Sequence, residues 1–247
     1  MVLVSHAVFI DESGLSLPGN TIQSLWIATA VAVALDRSRI LDQDTATERS
    51  RLFRSRVKEF KGHLIKHSEL LSGVTADDVA AAVAGLLRKY DAHVWTVATI
   101  AGCPVPIGFV GPIVSTKSIA RQLLLERVNG LLGTGRYAPA HWMMVWDVSD
   151  VQELTDFSSA TASFANGYTG QKISDRLYPM VLGGLSHDWA GLQLADIVAH
   201  LALHKVGAGR KFPDANPRKG AAFDARIEPV LQRDQGGRVV GWKTWGL

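Results

Sequence analysis

Cysteine is all but absent, with Cys103 alone in a chain of 247 residues. That excludes an internal disulfide framework and a cysteine-rich zinc site. Cys103 itself reads as a small buried filler rather than a nucleophile. Long apolar runs are missing too: the longest, Leu25 to Leu35, is too short to cross a bilayer. Nor does the chain open like a secretory leader. Met1 leads almost at once into strand-like sequence with His6 and Asp11, not into a basic segment and an apolar core. These absences lead us to expect a cytoplasmic protein with no membrane partner.

What is present is globular in composition. Hydrophobic residues make up 47% and charged residues 20% of the chain, which excludes a disordered class and leaves enough apolar surface for a sizeable core. The net charge is only +3, but it is unevenly placed. Seven basic residues (Arg49, Arg51, Arg54, Arg56, Lys58, Lys61 and Lys66) stand against Glu59 alone, and from Lys205 onward nine basic residues stand against four acidic. Such stretches attract phosphates or simply form solvated faces. Because both flank candidate carboxylates, they favour a polyanionic partner, with nucleic acid first.

Patterning along the chain alternates strand and helix. Leu3 to Ile10 reads as a strand that Asp11 closes, with Asp11-Glu12-Ser13-Gly14 as turn-forming residues. Leu25 to Leu35 reads as a fully buried strand. Asp36 then caps a helical segment expected to reach about Phe60. Thr75 to Asp78 resembles a capping box, His93 to Ile100 a strand, and Ala101 to Val114 an apolar loop rich in Pro and Gly. A helix follows Ser115 or Thr116; strands are expected at Trp142 to Trp146, ending at Asp147, and at Tyr178 to Leu185. Ser158 to Gly170 reads as a loop and Ala190 to Lys205 as a strong helix. No repeat or linker divides the chain. We expect one α/β domain over 1–247, with a core over roughly 1–206 and a basic C-terminal extension over 207–247. The Pro/Gly loop and the tail's tryptophans offer contact surfaces for a homo-oligomer.

Four acids sit where structure alone does not ask for them. Asp11 and Asp147 each follow an apolar strand, where turn capping is the ordinary explanation. Glu59 is the one acid in a basic stretch. Asp196 lies inside the apolar helix Leu192-Gln-Leu-Ala-Asp-Ile-Val-Ala-His-Leu-Ala-Leu203, where an unpaired carboxylate is costly. Gln193, Asp196, His200 and His204 fall on one face of that helix. Such a stripe is either a buried hydrogen-bond network or one side of a site where a cation compensates the acid. Several carboxylates from separate elements suit hard divalent ions, and two such ions about 3.5–4 Å apart can drive phosphodiester cleavage.

Phe9-Ile10-Asp11-Glu12-Ser13-Gly14, Glu59-Phe60-Lys61-Gly62 and Leu192-Gln193-Leu194-Ala195-Asp196, taken in that order, resemble the bacterial and phage family called domain of unknown function 3800. The resemblance implies a ribonuclease-H-like mixed sheet flanked by helices, with a helical insertion, and a metal-dependent nuclease. It implies Asp11, Glu59, Asp147 and Asp196 as ligands of Mg²⁺ or Mn²⁺ in a two-metal site, and Lys61 as a phosphate contact. It implies Gln193 as a residue that orients the site or substrate; Glu12, Ser13 and His200, the last one turn from Asp196, are further candidates for binding. Asp150 is an alternative to Asp147, and strand alternation points Glu12 away from Asp11's side chain, so one of the two enters the site.

Two rival readings come from other classes. A phosphatase with Asp11 as nucleophile expects a second aspartate two residues on, where Ser13 stands. A non-catalytic nucleic-acid- or protein-binding module on a nuclease-derived fold would use the basic stretches and the tail's aromatics for phosphate contact and stacking. Retention of four acids counts against it, since carboxylates repel phosphate. No pair among His6, His63, His67, His187, His200 and His204 forms a His-Glu-x-x-His pattern, and they read as surface or core histidines.

Overall fold

Val, Ile and Ala alternate through the apolar run that starts at Leu25, and they form an interior strand covered on both faces. In the computed structural model, which describes residues 4–16, 23–54, 57–62, 65, 73–106, 115–132, 141–147, 155, 158, 161 and 177–246, this is β2 (Gln23–Ala34). It lies between β1 (Val4–Ser16) and β3 (His93–Ile100). With β4 (His141–Asp147), β5 (Leu177–Gly184) and the short β6 (Trp242–Trp245), they make a sheet of order β5-β4-β1-β2-β3-β6. β1, β2 and β3 are antiparallel neighbours, whereas β4 runs parallel to β1, β5 to β4 and β6 to β3. An antiparallel meander extended on its first-strand side by two parallel strands, with helices on both faces, is a ribonuclease-H-like mixed α/β sheet, as expected.

The described residues include five α-helices, α1 (Leu35–Phe53), α2 (Ala76–Lys89), α3 (Thr116–Leu132), α4 (Ala190–Gly209) and α5 (Pro217–Ala222), the last running on into a π-helical turn over Phe223–Ile227. Leu25, Ile27, Val31 and Val33 of β2 join one core with α1, α2, α4 and α5. Trp26, Ala28, Ala30 and Ala32 face the other way, where α3 packs with Trp95, Trp142 and Trp146. The alanines leave room for the indoles on that side. Among the described residues no helix is long and apolar enough to cross a membrane.

Local signals explain most boundaries. Thr75 and Asp78 form a reciprocal capping box at the start of α2. Before α3, the Ser115 hydroxyl accepts the Ser118 amide at 3.0 Å and the Ser118 hydroxyl accepts the Ser115 amide at 2.8 Å. Four expectations need correction. Asp36 does not cap α1: Ala34 holds the cap position and Asp36 lies within the first turn. Asp11 does not end β1: the ladder with β2 continues through Glu12, Ser13 and Gly14, opposite Ala28, Ile27 and Trp26. Long-range pairing overrides the turn propensity of those residues. The helix expected to run to Phe60 stops at Phe53, because Arg54 turns left-handed (φ 49°) and its amide bonds the Ser50 carbonyl at 2.8 Å. The C-terminal stretch is no mere tail, since it supplies α5 and edge strand β6, and Phe223 within it is fully buried.

Candidate functional site

Side chains alternate along β1, so Phe9 faces the α4 side and Ile10 the α3 side. Asp11 follows Phe9, and Glu12 follows Ile10. β1 pairs with β4 as far as Ile10 opposite Trp146, and Asp147, the last residue of β4, comes one step later beside Asp11. Val145 belongs to the α4-side core, so alternation turns Asp147 to that side too. On Asp11's other flank stands Thr29, which is followed across the sheet by Thr96. Both threonines are buried, and their hydroxyls are 3.2 Å apart. A polar row of Asp147, Asp11, Thr29 and Thr96 thus crosses an otherwise apolar face.

α4 packs over β1 and β2 on this face. Gly191 makes the close approach workable, because a Cβ there would overlap the Phe9 ring. The first amide of α4, that of Ala190, donates to the Asp42 carboxylate of α1 at 2.9 Å, which fixes the start of the helix. One turn on, the polar stripe begins. Gln193 Oε1 accepts the Phe60 amide at 2.8 Å, and Asp196 Oδ2 accepts the Gly62 amide at 2.9 Å. Alternate amides of one segment are therefore held by side chains three residues apart on the helix. Phe60 is buried against Phe53. Glu59 and Lys61, the residues on either side of Phe60, pair at 2.9 Å and stay 27% and 30% exposed.

Charge on this face is unbalanced around Asp11. Burial raises its carboxyl pKa well above the ordinary range, and the charges of Asp196, Asp147 and Glu12 raise it further. The Glu12 amide, donating to Oδ1 at 2.6 Å, opposes that rise. Burial pulls the Lys61 pKa down, yet it sits above its usual value because Glu59, Asp147 and Asp196 hold the ammonium. Asp11, Asp147, Asp196, Glu59 and Lys61 thus come from four separate parts of the chain into one electrostatic neighbourhood. The four acids among them offer carboxylate oxygens, the ligand chemistry of a hard divalent ion. Among the described residues, no group of three or more His, Cys, Asp or Glu is drawn together tightly enough to hold a metal ion.

The other candidates sort by face. Gln193 belongs to the site as the acceptor for the Phe60 amide. Ser13 shares Asp11's side of β1 by alternation and stands opposite Ile27. His200 packs against Gly62, where a Cβ would lie 2.7 Å from its Cγ. Glu12 lies on the far side of the sheet: Arg121 of α3 donates to it twice, at 2.8 and 2.9 Å, and Lys117 lies 3.4 Å away. Asp150, His63, His67, Lys66, Arg56, the loop over 107–114 and nearly all of 158–170 lie outside the described residues.

Sequence reasoning passed over Thr29, the one polar residue of the Leu25 to Leu35 run, and Thr96, both of which complete the polar row. It also overstated the basic C-terminal stretch. There Lys205 pairs with Asp224 and Glu228, Arg226 with Asp77 and Arg238 with Asp234. Phe212 and Phe223 are core residues, and Trp242 packs on Phe223 with ring centroids 5.3 Å apart. These aromatics are fold contacts rather than an open stacking platform.

No protein-family model and no curated relative matches the chain. Among solved structures, the chain is similar to ribonuclease H2 from Pyrococcus horikoshii OT3, at 12% identity and a TM-score of 0.43, over 96% of this chain and 97% of that one.

Proposed function

We propose that this protein is a divalent-metal-dependent nuclease of the domain of unknown function 3800 type, cleaving phosphodiester bonds in nucleic acid. The observation that supports this most is the setting of Asp11: a carboxyl on the central strand, its pKa pushed up by burial and by the charges of Asp196 and Asp147. Carboxylates gathered against their mutual repulsion destabilise a fold, and a cation is the partner that reverses the sign of that interaction. Asp11, Asp147, Asp196 and Glu59 would hold Mg²⁺ or Mn²⁺, whose chemistry is to make bound water a nucleophile at neutral pH and to offset charge on phosphate oxygens. Lys61, tied to Glu59 at 2.9 Å, would place a cation against the substrate phosphate. Gln193 and the Gly62 amide keep that segment docked on α4, so that Lys61 and Asp196 move together.

The test compares the purified protein with Asp11→Asn, in Mn²⁺, on single- and double-stranded DNA and RNA. Cleavage by the wild type and a loss of at least ~100-fold in the variant are expected, the scale on which removing an electrostatic group from a hydrolytic site acts. Equal activity of the two proteins would remove Asp11 from the site. Binding without cleavage by either would favour the non-catalytic module.

A further inference from the structure

Lys219, on the short helix α5, is only 5% exposed, and its Nζ lies 3.0 Å from Nε2 of His200 and 3.4 Å from Nε2 of His204. Burying an ammonium is costly unless it gains strong hydrogen bonds, so its place beneath the polar stripe of α4 calls for a reason. The two imidazoles differ as partners. The Asn216 amide donates to Nδ1 of His204 at 3.0 Å. Burial, and after it the Lys219 charge, push the pKa of that ring down to about 4. Near neutral pH His204 is therefore uncharged, with its proton on Nε2, and offers the lysine no lone pair there. Of the two rings it is His200 whose Nε2, 3.0 Å from Nζ, can accept from the ammonium, and accepting there would put the His200 proton on Nδ1. The two rings stand edge to face, 4.6 Å between centroids. On its other side His200 abuts Gly62, close enough that a Cβ on Gly62 would lie 2.7 Å from Cγ, and the Gly62 amide in turn donates to Asp196.

We propose that Lys219 is a positioning residue: it fixes His200 as the Nδ1–H tautomer and, through His200, holds Gly62 with its amide on Asp196. Its relevance to function rests on the reading of Asp196 as a site acid, but the contact chain stands on geometry alone. The sequence offered no sign of it, since Lys219 is one of many basic residues in a C-terminal stretch.

Long-range ¹⁵N–¹H spectra of the imidazoles in the full-length protein, with neither metal nor nucleic acid, test the proposal. The wild type is expected to show His200 protonated at Nδ1 and His204 at Nε2. In Lys219→Met, His200 should shift to the Nε2–H form and the Gly62 amide should exchange with solvent about tenfold faster, the effect of losing one charge-assisted hydrogen bond. Amides of α2 should be unchanged, and Lys219→Arg, which keeps a donor, should restore both signals. A wild-type His200 protonated at Nε2 would overturn the proposal without recourse to any variant, even if Lys219→Met does not fold. So would an unchanged tautomer and an unchanged Gly62 exchange rate in a folded Lys219→Met. Because these readouts use no metal and no substrate, they judge Lys219 whether or not the protein cleaves nucleic acid.

Discussion

Asp11 and Glu12 are adjacent on β1 and differ by one methylene, and the sheet sends them into opposite surroundings. Glu12, 7% exposed on the α3 side, meets Arg121 through two hydrogen bonds and Lys117 at 3.4 Å. The cations are held in turn, Arg121 lying 5.0 Å over the Trp146 ring and Lys117 5.1 Å over Trp26. Asp11, on the α4 side, is surrounded by the charges of Asp196 and Asp147, with one backbone amide as a donor. A buried acid that the fold completes belongs to the architecture. One that the fold leaves among like charges weakens the architecture and marks a place where something else binds.

The largest expected effect breaks the completed side. Glu12→Ala removes the carboxylate to which Arg121, whose side chain is 11% exposed, donates twice, and should cost about 3 kcal/mol in urea unfolding, as removal of one partner of a buried pair does. A loss below about 1 kcal/mol would mean that solvent already screens the Arg121 contact and that the two acids are less different than they look.

The second effect tests the α4 side through pH. The His204 pKa is lowered from its ordinary 6.5 to about 4, so the unfolded chain takes up a proton that the folded one refuses. Stability from this ring is complete above about pH 6.5 and is lost as pH falls toward 4, roughly 2 kcal/mol in all once solvent screening is allowed for. Urea midpoints across that range should fall for the wild type and fall less for His204→Asn. Parallel curves would show that the ring titrates normally.

The smallest effect sharpens the comparison directly. The folded-state pKa of Asp11 is raised above its ordinary 3.8, so its contribution to stability declines as pH climbs from that value through the raised one. Above the raised pKa the charged group disfavours folding. Asp11→Asn should therefore raise the melting temperature, by about 2–4 °C if the relief is ~1 kcal/mol, and Mn²⁺ should raise it in the wild type alone. A lower melting temperature for the metal-free variant would mean that Asp11 is a structural acid like Glu12.

Residue patterns carried much of this in advance. β3 and the capping box at Thr75 stand where patterning puts them, because alternation and side-chain capping act over a few residues. The Gln193-Asp196-His200-His204 stripe was also legible, since helical spacing is fixed by geometry. Three things were not: that β1 runs on through Gly14, that the helix before Glu59 stops at Phe53, and that the basic C-terminal stretch folds back on the sheet. Each is decided by partners distant in sequence, as Gly14 is by Trp26 and Lys205 by Asp224 and Glu228.

The sequence by itself determined that Asp11 and Glu12 point to opposite faces, because a strand has a period of two, and that Asp196 shares its helix face with Gln193 and His200. Only the tertiary structure decided which face was which. It set α3 with its Arg121 against Glu12, placed Asp147 beside Asp11 through parallel pairing, and laid the Glu59–Gly62 segment along α4. Those are choices of strand neighbour and helix docking, fixed by how the two cores fill, and no local pattern encodes them.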